Sequence, residues 1–364
     1  MTLLYVTDAF AVYGGMERVL ADKMNYLVAE YNCDVYLLTI NQGCHDVPFP
    51  LHHKVRHIDL GIGMHQQYAY YGIRRLIKYN SLNGLLAQKM RDIFSQIDVD
   101  VIVCAKLDYV GVLNKVRGDV PLVVESHTLC KAEQMAGAGW LRRLHVWSFK
   151  WQIGKADVIV VLTEGDAKDW EPYNRLVSVI PNIVRLNEEG YCPQNSEKTI
   201  VFVGRNDHQK DFESLLQIWS IVYARHPDWT LEIYGGSDMH VTGVRVLKPT
   251  PDIMSHYRRS SMLVLTSLYE PFGLVLPEAM SCGLPVVAFD CPYGPGEIIT
   301  DGVDGFLIKN RDIHAFAERV CQLIENPDLR VQMGKAGIKS SQRYRADLIM
   351  PKWKELFEKL CLKE

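Results

Sequence analysis

The sequence predicts an α/β protein made of two Rossmann-like, doubly wound parallel-sheet domains. Three observations carry that expectation. Short apolar runs alternate with helix-period segments along the chain. The alternation stops at a polar, aperiodic stretch, Leu186–Lys198, and then starts again. A length of 364 residues suits two such domains.

The elements follow in order. "LLYVTDA" reads as a first strand and leads through "VYGG" into the helical "MERVLADKMNYLVAEY". "CDVYLLTI", "DVIVCAK", "PLVVESH", "ADVIVVLT" and "VSVIPNI" supply further strands of the first half. The second half opens with "KTIVFVG" and continues with "WTLEIYGG", "SMLVLTS", "LPVVAF" and "GFLI". "FESLLQIWSIVYARH" and "HAFAERVCQLIEN" are helices between them. The expected domains are residues 1–185 and 186–345, with 346–364 a last helix packing back on the first. In open parallel sheets ligands bind beyond the carboxyl ends of the strands. Two such sheets facing each other would therefore form a site in a central cleft, and motifs that follow strands carry most weight.

Composition narrows the function classes. Hydrophobic residues make up 48% and charged residues 23%, as in a soluble globular protein. Forty Lys and Arg against 43 Asp and Glu leave a formal charge of −3, which argues against bulk nucleic-acid binding. Nine scattered cysteines without a C-x-x-C pair read as reduced thiols in a cytoplasmic protein. The N-terminus lacks a basic leader and carries Asp8, so it reads as a strand rather than a signal peptide. No apolar run is long enough to span a bilayer.

Three motifs follow strands. Gly14 and Gly15 join the first strand to the first helix, where free amides and close backbone approach suit an anion; a plain tight turn explains them equally well. The spacing is not G-x-G-x-x-G, which speaks against a dinucleotide. Arg205 follows the strand "TIVFVG", and Lys210 comes five residues later, just before a helix. An arginine fork and a lysine point charge there could hold a diphosphate, or could be a solvated basic loop. Third, "YEPFGLVLPEAMSCGLPVVAF" holds Glu270 and Glu278 in an otherwise uncharged run. Uncompensated carboxylates are costly to bury, so a ligand is expected to meet them. Phe272, Gly273 and Leu274 read as the start of a helix whose amides face a phosphate. Glu278, a turn further on, could accept from the vicinal hydroxyls of a ribose. Favourable placement in the helix dipole also explains Glu278, but not Glu270.

"GGMER", "VGR…K" and "EPFGLVLPEAMSCGLPVVA" together resemble the signatures of the retaining GT-B glycosyltransferases with the E-x7-E motif, the family 4 or "group 1" type. "VIPNIV" and "DGVDGFLI" extend the resemblance over nearly the whole chain, and "CPYGPGEII" resembles a form found among enzymes of bacterial surface-polysaccharide synthesis. The resemblance implies that Glu278 binds the nucleotide ribose, Glu270 the transferred sugar, and Arg205 with Lys210 the diphosphate. It adds Phe272, Gly273, Leu274, Gly14 and Gly15 to the phosphate cradle and brings His127 of "VVESHT" to the sugar. Glu270 and His127 are the catalytic candidates. The implied reaction is retaining transfer from a nucleotide-diphosphate sugar, with UDP as the expected nucleotide. The acceptor is expected to be a hydroxyl of a lipid-linked saccharide.

Two further stretches bear on partners. Asp98-Val99-Asp100 has the D-x-D spacing of metal–nucleotide sites in another fold, but it precedes a strand, on the wrong side of the sheet. No metal and no other cofactor is expected; cations and helix amides would do that electrostatic work. Tyr70–Tyr79 and Trp140–Asp157 mix aromatic and basic residues (Trp140, Arg142, Arg143, Trp147, Phe149, Lys150, Trp151 and Lys155 in the second). Such faces can lie on an anionic membrane, at the inner face of the plasma membrane here, or pack on their own sheet with snorkelling cations. The competing functions are a sugar-nucleotide epimerase or hydrolase of the same fold, and a nucleotide-sugar-binding partner without turnover.

Overall fold

The computed structural model describes residues 1–131, 140–188, 197–236, 239–309 and 311–362. The chain divides into two units, Met1–Pro181 with Ile349–Glu364, and Asn182–Leu348. Residues 189–196 of the polar stretch Leu186–Lys198 lie outside the described residues.

The first unit holds a seven-stranded parallel sheet. Its strands are β1 (Thr2–Thr7), β2 (Asp34–Thr39), β3 (Arg56–Asp59), β4 (Val101–Cys104), β5 (Leu122–Glu125), β6 (Val158–Val161) and β7 (Val177–Val179), in the order β3-β2-β1-β4-β5-β6-β7. Tyr5 of β1 stands between Leu37 and Val103, so the strand order reverses at the β1–β4 boundary. β4, β5 and β6 are buried along their whole length, which is why they read as unbroken apolar runs rather than alternating ones. The first helix, Gly15–Tyr31, buries Val19, Leu20, Met24, Leu27 and Val28 on one face. Asn32 ends it in the left-handed region, with its amide donating to Leu27 O.

The second unit repeats the plan with six strands: β8 (Thr199–Val203), β9 (Thr230–Tyr234), β10 (Val244–Leu247), β11 (Met262–Leu265), β12 (Val286–Asp290) and β13 (Gly305–Lys309). Their order is β10-β9-β8-β11-β12-β13, again all parallel and again reversing at one boundary, here β8–β11. Phe202 meets Phe212 edge-on at 5.1 Å, and Phe289 meets Phe316 at 4.9 Å, fixing helices Phe212–Arg225 and Ile313–Glu325 to the sheet.

Eleven of these 13 strands are the apolar runs of the sequence. β3 and β10, "RHID" and "VRVL", are not, and both are sheet edges. The other two edges, β7 and β13, keep an apolar run; in β3 and β10 the charged and polar residues Arg56, His57, Asp59 and Arg245 break it. The last helix, Ala346–Cys361, contains Pro351 and buries Trp353, Phe357 and Leu360; from Ile349 onward it belongs to the first unit. Among the described residues no helix is long and apolar enough to cross a membrane.

Candidate active site

In a doubly wound sheet the crevice for a ligand opens beyond the carboxyl ends of the strands, where the order reverses. In the second unit that is the β8–β11 boundary. Two of the loops that carry candidate residues leave from there.

β8 runs into Gly204, whose amide donates to Tyr234 O at 2.9 Å. A Cβ on Gly204 would stand 3.1 Å from Lys210 Cδ, so the lysine stem lies across the glycine. Arg205 follows with its side chain 81% exposed, its guanidinium 3.6 Å from Asp207 Oδ2. Asp207 then accepts the Lys210 amide at 3.1 Å and closes a single helical turn, His208–Lys210. Lys210 Nζ thereby reaches Glu270 Oε2 at 2.6 Å, with both side chains mostly buried. Ser267 Oγ donates to the same carboxylate oxygen at 3.0 Å.

Backbone and side-chain bonds hold the two loops in register. Thr266 Oγ1 donates to Lys210 O at 2.9 Å, the Leu268 amide to Gln209 O at 2.8 Å, and Gln209 Nε2 to Tyr269 O at 3.0 Å. A third loop joins from β12. The Glu270 amide donates to Pro292 O at 2.6 Å, and Glu270 O accepts the amides of Tyr293 and Gly294 at 3.0 and 2.9 Å. The backbones come so close that a Cβ on Gly294 would sit 1.8 Å from Phe272 O. Only glycine fits there. Burial, with the Glu270 charge behind it, pushes the Cys291 thiol up to about 12, so this cysteine is no nucleophile at neutral pH.

The helix expected to start at Phe272 starts later, at Val275, and runs to Ser281. The reason is Gly273, whose φ of +93° lies outside the right-handed helical region. Phe272, Gly273 and Leu274 thus form a bend before the helix. Phe272 is buried, edge-on to Tyr344 at 5.2 Å. Glu278 lies one turn into the helix and is 2% exposed, its amide donating to Leu274 O at 3.2 Å.

The structure therefore gathers Lys210, Glu270 and the Phe272–Leu274 bend into one set of interlocked loops. Glu278 stands on the short helix that follows, and Arg205 extends into solvent from the loop before Lys210. The remaining candidates belong to the first unit. Gly14 is the extended residue ahead of helix Gly15–Tyr31, and its amide donates to Val12 O at 2.8 Å. A Cβ on Gly14 would lie 2.2 Å from Glu17 Oε2, so the glutamate's carboxylate folds over this turn, where it suits the helix dipole. Gly15 is exposed. His127 follows β5, its Nε2 3.1 Å from Glu125 Oε1 in a close electrostatic contact rather than an aligned hydrogen bond. Asp100, at the amino end of β4, accepts the Thr2 amide at 2.7 Å.

Sequence reasoning missed Asp207, Gln209, Ser267 and Gly294. Their tasks are local bonds three residues long (Asp207, Ser267) and approaches between loops 60 positions apart (Gln209 to Tyr269) or 22 (Gly294 to Phe272), and a motif search looks for ligand contacts instead. Gly294 had a signal, the "YGPGE" turn after β12.

Comparison with known proteins covers both units. Residues 13–188 match the "Glycosyltransferase Family 4" model, and residues 187–340 match "Glycosyl transferases group 1". The amylovoran biosynthesis glycosyltransferase AmsD of Erwinia amylovora is 27% identical over 378 residues, spanning 97% of this chain and 99% of that protein. Among solved structures, a Staphylococcus aureus TarM mutant in complex with fondaparinux, alpha-GlcNAc-glycerol and UDP superposes with a TM-score of 0.81 at 15% identity, over 98% of this chain and 99% of that one. Anabaena HepE in complex with UDP gives 0.72 at 17% identity, over 99% and 100%. These likenesses establish the fold as GT-B.

Proposed function

Since this chain belongs to the group 1 glycosyltransferases, we propose that it transfers a sugar from UDP to a hydroxyl of a lipid-linked saccharide, with retention of the anomeric configuration. Its full-length relative in amylovoran synthesis supports a polysaccharide as the product, and the UDP bound by TarM and HepE supports the nucleotide.

The observation that carries the reading is the Lys210–Glu270 pair at the carboxyl ends of β8 and β11. Breaking the bond from the sugar to the diphosphate leaves negative charge on the departing oxygen. An ammonium held by one carboxylate still has donors to spare, so Lys210 can meet that charge without leaving Glu270. Arg205 adds a planar fork from the same loop. Glu270 accepts from hydroxyls of the transferred sugar and Glu278 from those of the ribose. Gly15 and Phe272–Leu274 offer backbone amides to the phosphates, Gly14 gives the turn its close approach, and His127 contacts the sugar. Since the sequence identifies no carboxylate nucleophile for a covalent intermediate, we assign retention to a single step in which the acceptor oxygen attacks from the face the diphosphate leaves. Its proton then passes to the phosphate oxygen as the new bond to the sugar forms. With this much positive charge supplied by side chains, the reaction runs without a divalent metal.

The same proposal places the first unit on an anionic membrane, which is where a lipid-linked acceptor is held. Helix Gly72–Gln96 supports it. Tyr71, Ile73, Leu76 and Ile77 are all exposed at its start, beside Arg74, Arg75 and Lys78. Helix Trp140–Ile153 contributes less. Trp147 and Trp151 are exposed, but Lys150 is buried over the Tyr173 ring and Phe149 packs on the core. The side chains of residues 140–145, Trp140, Arg142 and Arg143 among them, lie outside the described residues.

The deciding experiment is a panel of UDP-, GDP- and ADP-sugars, measured first for binding and then for transfer to lipid-linked acceptors. The anomeric coupling in the product's proton spectrum reads the stereochemistry. Consumption of donor without any acceptor product would favour a hydrolase or epimerase. Tight binding without turnover would favour a nucleotide-sugar-binding partner.

A further inference from the structure

Behind His127, three buried side chains of the first unit, Lys23, Glu125 and Trp353, have no task in the reaction outlined above. Lys23 Nζ lies 2.6 Å from Glu125 Oε2, and each side chain is 1% exposed. The second carboxylate oxygen, Oε1, lies 3.1 Å from His127 Nε2. The ring of Trp353, from the last helix, covers the Lys23 ammonium at 3.5 Å, and the Tyr5 ring stands at 5.8 Å. Residues from the first helix, β5 and the last helix thus converge behind one imidazole.

A buried ion pair is a poor device for stability alone. Desolvating both charges offsets most of their attraction, and an apolar pair of the same volume holds a fold as well or better. Here burial opposes the Glu125 charge, yet Lys23 and then His127 outweigh it and bring the carboxyl down to about 2. Glu125 is therefore a fixed anion with one oxygen anchored and the other free to face His127. An anchored carboxylate at this distance holds the orientation of the imidazole beside it.

We propose that Glu125 is the positioning residue for His127, anchored on Lys23 and sealed from water by Trp353. The inference rests on the reading of His127 as a contact of the transferred sugar. It assigns a task to the return of the last helix, which brings Trp353 to the far side of the pair.

The test uses the full chain with donor and acceptor. Lys23→Met/Glu125→Gln removes both charges together and so leaves no orphaned ion in the core. It is expected to keep the wild-type thermal midpoint within a few degrees. Its kcat is expected to fall about 10- to 100-fold with a smaller change in the donor KM. The side-chain nitrogen shifts of His127 are expected to move as well, which a role confined to packing would not cause. Glu125→Asp keeps a carboxylate for Lys23 but draws it back from the imidazole. It is expected to lose kcat and shift His127 in the same direction, and it decides the matter if the double variant does not fold. Wild-type kcat and unmoved His127 shifts in these variants would overturn the proposal. His127→Ala separates the two levels. If His127→Ala is slow while the Glu125 variants are normal, only the positioning role fails. If His127→Ala transfers at the wild-type rate, the sugar contact fails and takes the positioning role with it.

Discussion

Lys210 Nζ and Glu270 Oε2 lie 2.6 Å apart, joining the loop after β8 to the loop after β11 across the boundary where the strand order of the second unit reverses. Lys210→Met leaves a largely buried carboxylate without its cation. Transfer is expected to fall about 100-fold or more, the scale of losing one donor to a developing oxyanion. Stability should drop by about 1–3 kcal/mol, the cost of leaving a buried polar group unpaired. Single-turnover kinetics and chemical denaturation check the two effects separately, and an unchanged single-turnover rate would remove Lys210 from the leaving group.

Glu278→Gln keeps the shape of a buried side chain and removes its charge. Nucleotide binding measured by calorimetry should weaken by about 1.5–3 kcal/mol, the worth of hydrogen bonds to a charged group. The thermal midpoint should stay near that of the parent. Equal affinity in the folded variant would take the ribose away from Glu278.

Two glycines should respond to alanine in graded fashion. Gly273→Ala imposes a side chain at φ +93°, 3.0 Å from Glu270 Cγ, and should cost about 1 kcal/mol or more while displacing that glutamate. Gly294→Ala meets the carbonyl of Phe272 at 1.8 Å. Neither backbone can yield without breaking the bonds from Tyr293 and Gly294 to Glu270. Its thermal midpoint should therefore be the lower of the two, and the reverse order would show the β12 loop to be the softer part.

Transfer should persist in EDTA. In the proposed reaction Arg205 and Lys210 would supply the positive charge that a metal would otherwise bring to the diphosphate. Activity lost to EDTA and restored by manganese would show that these cations are insufficient.

Vesicle sedimentation should show binding to anionic lipid that weakens with salt, and little binding to neutral lipid. Ile73→Glu/Ile77→Glu should abolish it, because both side chains are exposed at the start of helix Gly72–Gln96. If the parent chain stays in the supernatant with anionic vesicles at low salt, that helix face has another use.

The parts of the molecule that could be read from the chain are those whose physics is local. A strand buried on both faces must be an unbroken apolar run, so β4, β5, β6, β11 and β12 stand out in one dimension. The paired glutamates were visible for the opposite reason: charge in an apolar stretch is costly enough to need an explanation wherever the chain goes. Edge strands β3 and β10 carry neither signal. The late start of the helix at Val275 was hidden too, since the φ of +93° at Gly273 is a backbone choice that glycine permits but does not dictate.

The sequence by itself determined that this chain builds two parallel α/β units, because periodicity is a property of neighbours along the chain, and its motifs carry the resemblance to the group 1 glycosyltransferases. Only the tertiary structure decided which of those residues touch. Lys210 and Glu270 are 60 positions apart and Lys23 and Glu125 are 102, and in each case two strand ends or a helix and a strand had to be packed before the charges met. The energy of an ion pair depends on distance and burial, and neither exists until the sheet is assembled.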